Sequence, residues 1–418
     1  VPEDAYANAI IEFGTRDDAN YTATNDMTRA TLQTFMLNEL RLSGVFAGVT
    51  PRTGTINGKA LLFAKNLSGA LPQIRLDATS TTGDFSFQVH NTLQLLDNLL
   101  FTGNGTQQFV VTGNIVDYYE PRNVYKSGTS TVHFRGSNTF KGALVIAQGR
   151  VELDSAGAAI NGAQTIVVNV GGKLRMSNGT ISVDSLATAS ADSFEFVGGR
   201  LSVKQVYGNL RNDGGTFVLG PSNGVTEIDG HFTQAAGTLE IAISGPTPQV
   251  QFGSLAITGS ALLGGALDVR FFGGYVPTLG QSFTFIAAEG GVGGAFASRL
   301  LPSIANGMWN IAYGANSVAL VATVRGDYNG DGTVDAADYT VWRNAVSGQG
   351  DLLNADGDGD GAVTNADYAV WKANYGTTIA LLGAGEGGLS SNQNVPEPAS
   401  FALLAVAAII LGTGAGRA

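Results

Sequence analysis

The sequence contains no cysteine among its 418 residues, and only 14% of the residues are charged. Without cysteine there is no disulfide framework, no zinc–thiolate site and no cysteine nucleophile. Basic residues are outnumbered 23 to 34 by acidic ones, and the net charge of −11 argues against a nucleic-acid partner. The chain does not begin with methionine, and its first thirty residues lack a basic segment followed by an apolar run. We therefore expect that a secretion signal has been removed or that the sequence is a fragment.

Motifs of common catalytic sites are also missing, because the sequence has no zinc-protease helix, phosphate loop or dinucleotide fingerprint. One Gly-x-Ser-x-Gly string, residues 220–224, is centred on Ser222 and lies close to His231. A strand-like segment follows it where a nucleophile elbow needs a helix, so we interpret it as a turn. The histidines His90, His133 and His231 each stand alone on a β-type segment. We interpret them as surface or core residues of that β structure.

Glycine is abundant, with 58 residues and no collagen period. Up to about residue 325, short β-type runs are separated by Gly, Asn and Asp, and long helical patterns are almost absent. This pattern predicts a turn-rich, mainly β protein. Residues 1–120 form a leading β region, which fits either the first coils of a longer array or a small separate sheet.

One phrase recurs between residues 121 and 325, namely a glycine, one further residue and then alternating apolar positions. It begins at Gly149, Gly172, Gly199, Gly215, Gly237 and Gly265. The intervals are irregular but close to the length of one coil of a β-solenoid. Each coil would turn the apolar face of a strand inward and place glycine at a corner. A β-sandwich would show similar alternation, so both architectures stay open on this pattern alone.

Residues 124–153 carry a further signature of coiled β structure. Its characteristic positions are Lys126, Gly128, Gly136, Asn138, Thr139, Phe140, Gly142 and Gly149. The segment resembles the autotransporter-associated β-strand repeat. This resemblance implies a right-handed parallel β-helix in an exported protein. Residues 265–288 and 310–324 are expected to cap it, because an open end would leave an unpaired sheet edge.

Two Asp-rich loops, residues 327–338 and 356–367, repeat at an interval of 29 residues. Each places oxygen-bearing side chains at loop positions 1, 3, 5, 9 and 12 and a glycine at position 6, which is the ligand spacing of EF-hand loops. A hard cation is the natural occupant, so we predict two calcium ions. The predicted ligands are Asp327, Asn329, Asp331, the carbonyl of Thr333, Asp335 through water and Asp338, and then Asp356, Asp358, Asp360, the carbonyl of Ala362, Thr364 and Asp367.

Each loop is followed by aromatic and apolar residues at helical spacing, which predicts a small α module. A strand-like segment, residues 318–324, stands where an EF-hand has its entering helix, and both loops end in Asp where EF-hands have Glu. Two such loop-plus-helix units, residues 326–378, resemble a dockerin. The resemblance implies calcium-dependent docking to a cohesin-like protein. By position, the partner-docking residues would be Ala336, Ala337, Arg343, Asn365, Ala366 and Lys372.

The remaining sequence predicts a linker and a membrane-seeking tail. Residues 379–394 are rich in Gly, Ser and Asn, as in flexible linkers. Residues 399–416 carry no charge and could form a hydrophobic helix of ~27 Å. Within residues 395–418, the sorting motif consists of Pro396, Glu397, Pro398 and Arg417. It resembles the PEP-CTERM signal, which implies export, transient membrane insertion and an exosortase-type processing enzyme. Together with the dockerin resemblance, this is typical of planctomycete-like bacteria.

These features favour an exported cell-surface or extracellular-matrix protein with structural or binding function, in contact with a cohesin-like partner and with extracellular polysaccharide. The alternative is a β-helix glycoside hydrolase or lyase that carries a dockerin. Such enzymes gather carboxylates from different coils, so spacing alone cannot rank the candidates. They are Glu152, Asp154, Glu195, Glu227 and Asp229.

Overall fold

The computed structural model describes residues 8–26, 35–220, 224–348 and 353–382. Strands make up 51% of the described residues and helices 7%, so the predicted mainly β class is confirmed. Two α-helices follow the β region near the C-terminal end of the described chain.

The first part of the described chain consists of short strands. They are β1 (Ile10–Gly14), β2 (Tyr21–Asn25), β3 (Phe35–Leu37), β4 (Glu39–Ser43), β5 (Val45–Phe46), β6 (Arg52–Gly58), β7 (Leu61–Phe63), β8 (Gln73–Leu76), β9 (Thr79–Ser80), β10 (Phe85–Val89), β11 (Leu93–Leu95), β12 (Leu99–Thr102), β13 (Gln108–Val111) and β14 (Ile115–Asp117).

The middle part contains longer strands and one short 3₁₀ helix at Ala191–Ser193. Its strands are β15 (Val124–Lys126), β16 (Thr131–Phe134), β17 (Ser137–Asn138), β18 (Ala143–Leu153), β19 (Ala159–Asn161), β20 (Thr165–Met176), β21 (Thr180–Thr188), β22 (Phe194–Phe196), β23 (Arg200–Tyr207), β24 (Leu210–Leu219), β25 (Val225–Asp229), β26 (Phe232–Ile243), β27 (Ser254–Ile257), β28 (Ala261–Leu263) and β29 (Ala266–Phe271).

The last part contains the final strands and the two helices. These elements are β30 (Ser282–Ala288), β31 (Val292–Gly294), β32 (Ser298–Leu300), β33 (Gly307–Tyr313), β34 (Ser317–Val324), α1 (Ala336–Val346) and α2 (Asn365–Asn374). Neither helix in the described part of the chain is long and apolar enough to cross a membrane. The predicted hydrophobic helix and sorting motif, residues 395–418, lie outside the described residues.

Most strands pair in parallel with a strand further along the chain, and these pairings form three rows. One row runs through β4, β8, β12, β15, β18, β20, β21, β23, β25 and β27. A second runs through β6, β10, β13, β16, β18, β20, β22, β24, β26 and β28. A third runs through β17, β19, β21, β23, β24, β26, β29 and β32. Parallel pairing of this kind differs from the antiparallel pairing of a β-sandwich.

Long strands take part in two rows because they extend around a corner of the coil. The first residues of β20 pair with β21, and its last residues pair with β22. Strands β20, β21, β23, β24 and β22 thereby close a ring of five parallel pairings. The apolar positions inside the coils form one continuous core, from Leu37 at one end to Ala322 at the other. Burial of one large aliphatic side chain contributes roughly 1.5–3 kcal/mol, so this core is the main source of stability.

The leading region belongs to the same array. Strand β12 pairs with β15, and β13 pairs with β16, so pairing continues without a break across residue 120. The strands of residues 8–26 and 35–120 therefore share their pairing with the strands that follow residue 120. Strands β3, β7, β11 and β14 form a four-stranded parallel sheet along one side of these coils.

Antiparallel strands end the parallel array. Strand β30 pairs in parallel with β27 and antiparallel with β34, which in turn pairs antiparallel with β33. The expected capping role of residues 310–324 agrees with this pairing. Residues 265–288 are split between the array, which contains β29, and the cap, which contains β30.

Buried polar groups stabilise the corners between coils. Lys126, which is fully buried, donates from its ammonium group to the carbonyls of Ser127 at 2.7 Å, Gly128 at 2.8 Å and Gln148 at 3.3 Å. Burial lowers the pKa of Lys126 to about 8. The bond to Gln148 links two successive coils, which gives this residue of the repeat-like segment a structural role.

The recurring glycines lie where backbone of adjacent coils comes into close contact. Gly149 has φ of 73°, and a Cβ atom there would lie 2.4 Å from the carbonyl oxygen of Gly128 in the preceding coil. Gly237 has φ of 70°, and its Cβ would lie 2.3 Å from the carbonyl oxygen of Gly215. Glycine is therefore required there both by backbone conformation and by space.

We predict that Gly149→Ala lowers the free energy of unfolding by about 2 kcal/mol, because it adds a strained left-handed residue and a steric clash. Urea unfolding of the full chain measures this change. Gly157→Ala is the matched control, because its Cβ would meet nothing closer than 3.7 Å and its φ is ordinary. Equal midpoints for the two variants would contradict the packing role of Gly149.

Candidate metal centre

The first residue of the first loop, Asp327, is fully buried and organises the turn that follows it. Its Oδ1 accepts hydrogen bonds from the amides of Gly330 at 2.8 Å and Asp331 at 3.2 Å. Its Oδ2 accepts one from the amide of Gly332 at 2.9 Å. A single carboxylate thus holds three backbone amides on one side of the loop.

The last residue of the loop, Asp338, is also fully buried and closes the loop from within the first turn of α1. Its Oδ1 accepts from the amides of Tyr328 at 2.7 Å and Asn329 at 3.0 Å. Its Oδ2 accepts from the amide of Asp335 at 2.8 Å, while Oδ1 of Asp335 accepts from the amide of Ala337 at 2.7 Å. The bond from the Asp335 amide to Asp338, together with the bond from the Asp338 amide to the side chain of Asp335, forms a capping box, which explains why α1 begins at this point.

The second loop repeats most of this arrangement at equivalent positions. Asp356 accepts from the amides of Gly359 at 2.8 Å and Gly361 at 3.1 Å. The buried Asp367 accepts from the amides of Gly357 at 2.8 Å, Asp358 at 3.2 Å and Thr364 at 2.6 Å. Thr364 caps α2 by accepting from the amide of Ala366 at 3.0 Å. The sequence repeat is therefore a repeat of hydrogen-bonding geometry.

The residues at positions 3 and 5 of both loops are exposed, and their side chains bond to backbone within the loop. In the first loop Asp331 accepts from the amide of Thr333 at 2.9 Å, and in the second Asp360 accepts from the amide of Ala362 at 2.8 Å. Carboxylate oxygens of Asp356, Asp358 and Asp367 lie within 4.8 Å of one another. The structure thus brings together predicted ligands that are up to eleven residues apart in sequence.

Electrostatics in these loops favour a bound cation. Burial raises the pKa of Asp327, Asp338 and Asp356 above the ordinary aspartate value. Asp331 adds to this effect at Asp327, because like charges repel. The available donors are carboxylate, amide and carbonyl oxygens, a set that suits calcium. A bound calcium ion would supply the positive charge that offsets the convergent carboxylates and fixes the loop conformation.

Two tryptophans link the repeats to each other. Trp342 of α1 donates from Nε1 to the carbonyl of Thr364 in the second loop at 2.8 Å. Trp371 of α2 donates from Nε1 to the carbonyl of Asp335 in the first loop at 2.7 Å. Each indole therefore bonds to position 9 of the other loop. The spacing of the aromatic residues predicted the helices correctly, but nothing in that spacing revealed these reciprocal bonds.

The six predicted partner-docking residues are exposed and lie on the helices. Ala336 and Ala337 begin α1, and Asn365 and Ala366 begin α2. The basic residues lie further along the same helices: Arg343 on α1 and Lys372 on α2. The module therefore presents two equivalent surfaces, one on each helix.

Three of the five carboxylates considered for catalysis, Glu152, Asp154 and Glu195, pair with arginines. Asp154 forms a two-bond contact with Arg135, with both distances at 2.8 Å, and this contact lowers the pKa of Asp154. Arg150 lies 3.2 Å from Glu152 and 3.1 Å from Glu195. His133 joins this network, 3.0 Å from Asp154.

This network consists of ion pairs between neighbouring strands. We therefore interpret the group formed by His133, Glu152 and Asp154 as part of a structural network. The other two histidines bond to hydroxyl groups, His90 to Thr112 at 2.8 Å and His231 to Ser260 at 3.0 Å. These contacts agree with the interpretation of the histidines as residues of the β structure. Ser222 lies outside the described residues.

Comparison with known proteins identifies the region that contains the two loops and helices. Residues 325–374 match the family model of the dockerin type I domain. No curated protein matches the chain. The predicted dockerin-like module and its calcium-binding character are thereby confirmed, whereas the match says nothing about the β array. The resemblances to the autotransporter-associated repeat and to the PEP-CTERM signal stay predictions.

We predict that Asp331→Ala combined with Asp360→Ala abolishes calcium binding at millimolar calcium and leaves the module largely unfolded. Each substitution removes an exposed carboxylate whose hydrogen bonds stay within its loop, so the main loss is a ligand. Titration calorimetry of the full chain measures the heat of calcium binding, and tryptophan fluorescence reports whether the module is folded. Asp18→Ala with Asp84→Ala changes net charge equally and is the control. A heat of calcium binding equal to that of the wild type in the Asp331→Ala, Asp360→Ala variant would refute the ligand assignment.

Proposed function

We propose that the protein is an exported cell-surface or extracellular-matrix component in which a right-handed parallel β-helix carries a calcium-dependent docking module. Support for the β-helix comes from parallel pairing of each strand with the next coil and from glycines at the corners. The β-helix would act as a stalk or binding surface. The docking module is supported by the dockerin type I match, which implies a cohesin partner.

The observation that carries this proposal is the repetition of one loop geometry twice within a module that is held together by reciprocal indole bonds. In both loops the position 12 aspartate is buried and accepts three backbone amides. Two calcium ions are proposed, one for each loop. Calcium would fix the direction of α1 and α2, and hence the relative position of the two exposed surfaces.

An enzymatic function is not proposed for the β array. Glycoside hydrolysis needs one carboxyl group that can donate a proton and one that is free to act as base or nucleophile. Asp154 is bonded to Arg135, and Glu240 is bonded to Arg200 at 2.7 and 3.0 Å. These contacts lower the pKa of both carboxyl groups, which is the opposite of what a proton donor requires.

We predict that the full chain binds at least one member of a panel of type I cohesin domains in calcium and loses that binding in EGTA. Ala337→Arg combined with Ala366→Arg should abolish binding, because each adds a long charged side chain to one docking surface. Single variants then show which surface is used. Ala235→Arg with Ala295→Arg, at exposed positions of the β region, is the matched control. Calcium-independent binding, or binding that survives the double variant, would contradict the docking model.

We also propose that residues 395–418 are a sorting signal that holds the exported protein at the membrane by transient insertion until an exosortase-type enzyme processes it. The support is the Pro-Glu-Pro triplet followed by eighteen uncharged residues. Deletion of residues 395–418 is expected to release the protein into the medium. Cell fractionation in a producing bacterium measures this, and retention of the deletion variant at the envelope would contradict the sorting role.

A further inference from the structure

The docking module is joined directly to the strands that end the β array. Only Arg325 and Gly326 separate the last residue of β34 from Asp327, the first predicted calcium ligand. Strands β33 and β34 form the antiparallel hairpin of the cap. The first calcium loop is therefore a continuation of the capping strand.

The first ligand of each calcium loop also contacts a residue of the final strands. The hydroxyl of Thr323, which is fully buried on β34, donates to Oδ2 of Asp327. The guanidinium of Arg299 on β32 lies 3.9 Å from Oδ2 of Asp356, and both side chains are almost buried. Groups that hydrogen-bond to metal ligands orient them for the ion. The position 1 carboxylate of the first loop is thus oriented partly from outside the module by the Thr323 hydroxyl, and that of the second loop lies beside the positive charge of Arg299.

Two asparagines connect the module to the outer edge of the cap. Asn354, two residues before Asp356, accepts from the amide of Ile311 at 2.8 Å and donates to its carbonyl at 3.0 Å. Its side chain thereby bonds to β33 as a neighbouring strand would. Asn310 donates to the carbonyl of Tyr328, in the first loop, at 2.8 Å. The module therefore covers an edge of β33 that would otherwise be open.

The chain that leaves α2 returns to the cap as well. The amide of Ile379 donates to the carbonyl of Gly332 in the first loop, and the amide of Leu382 donates to the carbonyl of Gly280, both at 2.8 Å. Residues 379–382 are thus bonded into the structure. This corrects the predicted start of the flexible linker at residue 379, because backbone hydrogen bonds continue to residue 382. Residues 383–394 lie outside the described residues.

We propose that calcium binding to the two loops is coupled to folding of the capping strands β33 and β34, so that the docking module also closes the β array in a calcium-dependent manner. This inference rests on the calcium binding proposed above. An ion that binds only the folded loops stabilises every contact that folds together with them. By the same linkage, loss of the contacts with the cap must weaken calcium binding.

Hydrogen exchange on the full chain, in calcium chloride and in EGTA, tests the coupling. We expect calcium to slow exchange of the β33 and β34 amides at least tenfold, with no change at β18 and β20 in the middle of the array. We expect the Asn354→Ala variant to lose most of this slowing, although it still releases or absorbs heat on binding calcium. Asn138→Ala is the matched control, because Asn138, on β17 and outside the cap, likewise accepts from a backbone amide, that of Ile115 at 3.0 Å, and donates to a carbonyl, that of Ala159 at 2.9 Å. It should keep the response.

A second pair of variants tests the reciprocal effect and does not depend on the folding of Asn354→Ala. Thr323→Val removes the hydroxyl that contacts Asp327 and should weaken calcium binding about tenfold by titration calorimetry. Thr226→Val, a buried threonine bonded to the carbonyl of Val203 at 2.9 Å, should leave it unchanged.

The outcomes separate the two proposals. Calcium heat without any change in β33 and β34 exchange would overturn the coupling and leave the docking function standing. Equal calcium affinity in Thr323→Val and wild type would also overturn it. Absence of calcium heat in the wild-type chain would overturn the calcium-dependent function and the coupling together.

Discussion

The structure of the C-terminal module depends on aspartates that are removed from water, some in each of the two loops. Asp327, Asp338 and Asp367 are fully buried, and each organises backbone amides around itself. Buried carboxylates are costly unless a cation or hydrogen-bond donors compensate the charge. The amides supply part of that compensation, and the proposed divalent ions would supply the remaining part. The loop turns, the helix starts and the direction of the docking surfaces all follow from this requirement.

The β array is stabilised without disulfides, by burial of apolar side chains. Apolar side chains of successive strands are buried against one another, so the core is continuous from β3 to β34. Close stacking requires glycine at particular corners, as at Gly149 and Gly237. Both ends of such an array are exposed edges. At one end the hairpin β33–β34 and the calcium module together provide the closure.

Much of this architecture could be predicted from local patterns. Alternating apolar residues and recurring glycines indicated β coils, and ligand spacing indicated the calcium loops, because these signals act over a few residues. Contacts between distant segments could not be predicted in this way. Arg299 and Asp356, Asn354 and Ile311, and Trp342 and Thr364 meet only after the chain has folded. The bonds of Ile379 and Leu382 were missed because a Gly-rich composition resembles a linker whether or not its backbone is bonded.

Native mass spectrometry of the full chain in calcium tests the central claim most directly, because it counts bound ions without reference to any partner. The account predicts a folded species that carries two calcium ions, and loss of both when Asp331 and Asp360 are replaced by alanine. A folded chain that remains free of calcium at millimolar concentration would contradict it. The buried aspartates would then have to be compensated by the backbone amides alone.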